Sequence, residues 1–199
     1  MKRLSIHLSL FAAAVLVLLS ACTQAPVPQD RYYRIDVPAT PVGEQVLSGT
    51  LQMEPFITEG LTAGRAIIYV ETEGSTTMQE YNYDFWAEPP GTMLRDELTA
   101  YLRNAGVAQN IVTPEMRAAA DYIFSGRIDR LEMINGAQPK AYVELELAVT
   151  KDSNGKVVLV KNYGVSVGAS DATVKAGVDA ANQGINAIFA QFLSDLRGS

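Results

Sequence analysis

The stretch Ala141-Tyr142-Val143-Glu144-Leu145-Glu146-Leu147-Ala148-Val149-Thr150 decides the fold. Apolar Val143, Leu145, Leu147 and Val149 alternate with Tyr142, Glu144 and Glu146. Successive side chains of a strand point to opposite faces, so a period of two marks a β-strand with one buried face and one wet face. Asp152-Ser153-Asn154-Gly155 follows as a hairpin turn. Residues 156–167 return as the partner strand, in a register the pattern does not set. On the other side, residues 121–134 predict a long strand, bent at Gly126 by a bulge.

Beyond the hairpin, Val174, Val178, Ala181, Ile185, Ile188, Phe189, Phe192 and Leu196 fall three or four apart. That spacing predicts one long helix over residues 171–196 with an apolar stripe. Gly177 and Gly184 flank the stripe one heptad apart. They suit close packing against the sheet, or contact with another copy of the chain. The first is favoured, because a long stripe usually packs on its own core.

Earlier in the chain, Leu94, Leu98, Tyr101, Leu102 and Ala105 make a second amphipathic helix over residues 92–105. Thr92 is its expected N-cap, with Asp96 and Glu97 near the positive end of the helix dipole. Gly106 stands where a left-handed residue ends a helix. Strands are expected at 31–37, 50–56, 66–71 and 78–85, with a short extended piece at Ile111 and Val112. Ile67-Ile68-Tyr69-Val70 is apolar on both faces and reads as an interior strand. Strands, helix, strands, helix is an α+β order: a mainly antiparallel sheet with two α-helices packed on one face.

Composition narrows the chemistry. The chain has 199 residues and a net charge of −6. Met1-Lys2-Arg3 followed by the apolar run from Leu8 to Leu18 is an export signal, too short to span a bilayer. Without residues 1–21, which hold Lys2 and Arg3 and no acid, the net charge is −8. An acidic domain argues against nucleic acid, whose binding needs Lys and Arg on phosphates. The one histidine, His7, lies in the leader, and the one cysteine is Cys22. The remaining chain thus lacks the parts for Ser-His-Asp or Cys-His catalysis and for His or Cys zinc sites.

Two carboxylates suffice for glycoside hydrolysis, and Glu144 and Glu146 share a face. An outward pair on an antiparallel strand is far more often a solvated face. Asp121, Asp129 and Glu132 lack metal-loop spacing. The densest aromatic group is Tyr81, Tyr83, Phe85 and Trp86, with the first three expected on one face. Core packing is its ordinary reading. The alternative is a contact surface for a partner or lipid, with Tyr81, Tyr83 and Trp86 as the candidates.

Leu19-Ser20-Ala21-Cys22 resembles the lipobox of bacterial lipoproteins. The resemblance implies cleavage before Cys22 and acylation of its sulfur and nitrogen with palmitate-type chains. Residues 22–30, with Pro26 and Pro28, are then a tether, and residues 31–199 the domain it carries. Thr23 stands where an Asp favours inner-membrane retention in such proteins, which points to the outer membrane. Tyr32-Tyr33-Arg34-Ile35, Trp86-Ala87-Glu88-Pro89-Pro90 and Asp121-Tyr122 resemble the ABC-type transport auxiliary lipoproteins, the PqiC-like group. Phe85 departs from that pattern, where a basic residue is common.

The resemblance implies a non-enzymatic envelope protein with no cofactor and no metal. It would face the periplasm as an auxiliary to an ABC transporter whose MCE-domain subunit moves lipids. It would hold to the membrane by its acyl chains, and copies would assemble into a ring. The competing expectation is an envelope assembly or activator lipoprotein, acting on outer-membrane biogenesis or cell-wall synthesis without a transport role.

Overall fold

The computed structural model describes residues 27–198. The leader, the lipobox, Cys22 and the first part of the tether lie outside these residues. The described chain holds eight strands and two α-helices. In chain order they are β1 Arg31–Tyr33, β2 Leu47–Met53, β3 Ala66–Val70, β4 Gln79–Trp86, α1 Pro90–Ala105, β5 Ala108–Val112, β6 Tyr122–Ile134, β7 Lys140–Lys151, β8 Val157–Gly168 and α2 Val174–Arg197.

The strand at residues 141–150 is the middle of β7, antiparallel to both β6 and β8. Val143, Leu145, Leu147 and Val149 are all buried, and the residues between them are half-exposed. The three long strands make a meander whose inner face carries α2. A Cβ on Gly184 would lie 3.1 Å from Val165 and 3.3 Å from Val143, and one on Gly177 would lie 2.5 Å from Met133 Sδ. Both glycines therefore serve close approach of helix to sheet. The inner core is aromatic at its centre. Phe192 sits edge-on to Phe124 and Tyr163, at 5.9 and 6.2 Å between ring centroids. Tyr101 on α1 meets Phe189 on α2 at 5.7 Å, so the two helices pack side by side.

The fold is α+β, with a mixed sheet. Pairs β3–β4, β6–β7 and β7–β8 are antiparallel, whereas β1–β4, β2–β5, β2–β6 and β3–β6 are parallel. The expectation of a mainly antiparallel sheet holds for the long meander and gives way at the short strands. Alternation reveals that a strand exists; its neighbour is set by the path between strands. The connection from β2 to its parallel neighbour β5 runs through β3, β4 and α1, and a long crossover of that kind is what parallel pairing needs.

Several local expectations shift. Helix α1 begins at Pro90, two residues before Thr92, with Pro89 at the N-cap position. Proline suits the first helical position because its missing N–H has no helical partner there. Asp96 and Glu97 consequently fall beyond the first turn. Gly106 takes φ 68°, the left-handed end foreseen for it. Strand β1 stops at Tyr33, although Ile35 beyond it remains buried. Helix α2 starts at Val174, capped by Thr173, whose hydroxyl accepts from the Ala176 N–H at 3.2 Å.

Strand β6 does carry an irregularity, but between Ile128 and Arg130 rather than at Gly126. Gly126 has a different role: a Cβ there would come 2.6 Å from the Phe56 ring.

Candidate functional site

Both helices lie on the inner face, which leaves the opposite face of β6, β7 and β8 open. Glu144 and Glu146 project there, opposite Arg130 and Arg127 of β6. Arg127 bonds Asp129 at 2.9 Å and reaches Glu146 at 3.5 Å. The Arg130 guanidinium stacks over the Tyr142 ring at 4.3 Å and is hydrogen-bonded to Glu132. Burial works against the Arg130 charge, yet the Glu132 hydrogen bond and charge outweigh it and hold the pKa above its ordinary value. Glu146 is thus paired with Arg127 on an open face, and Glu144 lies across from Arg130.

The sheet forks along β6. Its first half pairs with β2 through Tyr122, Ile123 and Phe124, and the Ile57–Arg127 bridge closes that contact. Its far end pairs with β3 at Met133 and Ile134. Between the branches lies a cleft of about 730 Å³. Ile68, Ile128 and Leu131 line it, with Arg127, Asp129, Arg130 and Glu132 along one wall. The short 3-10 turn Gly60–Ala63 and residues 74–78 form its lips. Leu61 and Met78 on those lips are 36% and 51% exposed, and Ile57 beside them is 54% exposed. Apolar side chains standing in water around a concavity are a usual mark of a contact surface.

The aromatic group divides. Ala66 faces Phe85 and Ile68 faces Glu80, so two residues of β3 are matched by five of β4. An odd offset flips the alternation, placing Phe85 with Glu80 on one face and Tyr81 on the other. Tyr81 stacks on Tyr69 at 4.4 Å and pairs with the Asn135 amide at 2.8 and 3.0 Å. Burial pushes its phenol pKa up. Trp86 is only 3% exposed and belongs to the core, so of the three candidates for a partner surface it is the one with no face to offer. Tyr83 remains 44% exposed.

Beside Tyr83, Asp84 is buried and takes two partners from β1. Arg31 holds it at 2.8 Å and the Tyr33 hydroxyl donates to it at 2.9 Å. The hydrogen bond to Asp84 raises the Arg31 pKa, and burial followed by its own hydrogen bond to Asp84 raises that of Tyr33. This three-residue latch clamps the start of the domain to β4.

Among the described residues no group of three or more His, Cys, Asp or Glu is placed to hold a metal. No helix among them is long and apolar enough to cross a membrane.

The family model for the ABC-type transport auxiliary lipoprotein component matches residues 33–192. The chain belongs to this family. The fold is similar to that of XCC0632 from Xanthomonas campestris, at 21% identity and a TM-score of 0.72, over 81% of this chain and 92% of that one. A second crystal structure, of an uncharacterised protein, is similar at 15% identity and a TM-score of 0.66, over 84% of this chain and 99% of that one. No curated protein matches the chain in sequence.

As an auxiliary lipoprotein component, the chain presents a surface that the sequence alone leaves hidden. The cleft draws on four separate segments, and only the fork at β6 brings them together. One signal was open to reading: Ile57 and Leu61 are apolar residues outside the strands expected from alternation. The motif Trp86-Ala87-Glu88-Pro89-Pro90 has a structural role. It buries an indole at the end of β4, then turns the chain into α1 with a proline at its first position.

Proposed function

We propose that this auxiliary lipoprotein is a docking piece of an MCE-type ABC system for lipid trafficking. It stands on the periplasmic side of the outer membrane and holds or gates the end of the MCE-domain subunit. Acyl chains on Cys22 would anchor it, residues 23–30 would set its reach, and the domain would recruit without catalysing. Membership of the family supports the auxiliary role. The open sheet face supports the docking role. With both helices on the inner side, the forked cleft with its exposed Leu61 and Met78, and Ile57 nearby, are left for a partner. The ring of copies belongs to the same proposal.

A photoreactive residue at Leu61 or Met78, in the full-length lipoprotein expressed in its own cells, tests this reading. The expected adduct is with an MCE-domain subunit. Adducts only with wall-synthesis or outer-membrane assembly proteins would favour an activator role instead.

A further inference from the structure

The latch at Asp84 fixes where the tether leaves the domain, and an aromatic patch surrounds that point. Strand β1 is the edge of the sheet, held to β4 by Arg31 and Tyr33 on Asp84 and by the Ala87 N–H on the Tyr33 carbonyl at 2.7 Å. Tyr32 points outward, 58% exposed, with its ring 5.9 Å from Phe85 and 5.3 Å from the exposed Arg65 guanidinium. Its hydroxyl donates to Asp30, in the tether itself, at 3.3 Å. Tyr83 precedes Asp84 and stands exposed beside the same exit.

We infer that this edge, formed by Tyr32, Tyr83, Phe85 and Arg65, lies in the headgroup layer of the membrane that carries Cys22. The inference rests on the lipid-anchor reading and adds an orientation to it. From Cys22 to Arg31 is nine residue steps, which at ~3.3–3.6 Å each keeps the edge within roughly 30 Å of the acylated residue. A short tether holds nearby groups at high effective concentration, and the exit point is nearer to the lipid than any other part of the domain. The patch has the right chemistry for that layer. Tyrosine joins an apolar ring to a polar tip, and arginine lays its stem on apolar surface while its charge meets phosphate. The β6 wall of the cleft lies two strands from β4 of this edge, in the sheet order β1-β4-β3-β6.

The test uses the lipidated protein in vesicles of phosphatidylcholine and phosphatidylethanolamine. Cys22 is the only cysteine in the chain, so Tyr83→Cys and Val160→Cys each give a single site for a nitroxide label once Cys22 is acylated. Val160 is exposed on β8, the last strand of the meander. The expected result is a severalfold lower accessibility to an aqueous nickel chelate at 83 than at 160. Tyr32→Glu should abolish that difference while circular dichroism stays unchanged. Protein that floats with the vesicles but carries equally water-exposed labels overturns the orientation alone. Protein that fails to float overturns the anchor, and the orientation with it.

Discussion

Cys22→Ser is expected to move the protein from the membrane to the soluble periplasmic fraction. The comparison should use an ordinary cleavable export signal in place of residues 1–21, so that an unprocessed leader cannot hold the chain. Each acyl methylene contributes about 0.8 kcal/mol of membrane affinity, so one chain binds reversibly and two or more anchor stably. No helix among the described residues is long and apolar enough to cross a bilayer. A few rings at the β1 edge can orient a tethered domain; they cannot retain a free one. Fractionation checks this directly. Serine variant that still sediments fully with membranes would contradict the anchor.

Phe192→Ala is expected to cost about 3–5 kcal/mol of folding stability, the usual range for deleting a large buried aromatic side chain. Phe192 is fully buried and meets both Phe124 of β6 and Tyr163 of β8 edge-on, so it joins α2 to the two flanks of the meander. Its removal leaves a cavity between helix and sheet that these neighbours fill only in part. Against a typical total of roughly 5–15 kcal/mol, such a loss removes a large share of the domain's stability. Urea denaturation followed by circular dichroism measures it. A loss below ~1 kcal/mol would mean that α2 is not seated on the sheet through this residue.

The parts of the fold legible in the sequence are those where one period dominates. Residues 141–150 alternate cleanly because β7 lies between two antiparallel partners and has one face under α2. The α2 stripe reads equally well, and its glycines pack on the sheet as expected. The short strands were harder. Strand β1 pairs over only three residues, and the parallel contacts of β2, β3 and β5 depend on a crossover that no local pattern encodes. The aromatic group misleads for a related reason. Alternation assumes an unbroken register, and the shift between Ala66 and Ile68 separates Tyr81 from Phe85. Trp86 belongs to the core at the end of β4, where Glu88-Pro89-Pro90 also turns the chain into α1. Cys22 stands apart, because its reading comes from residue order in the leader and not from any packed element.

The claim that this domain acts by docking is tested most directly by binding between the purified lipoprotein and the MCE-domain subunit proposed as its partner. Saturable binding is predicted, weakened at least about tenfold by Leu61→Glu, because a charge on the cleft lip must be stripped of water when an apolar partner surface covers it. The exposed position of Leu61 leaves the fold intact, which circular dichroism verifies alongside. Absence of binding, or binding indifferent to Leu61→Glu, would contradict the account.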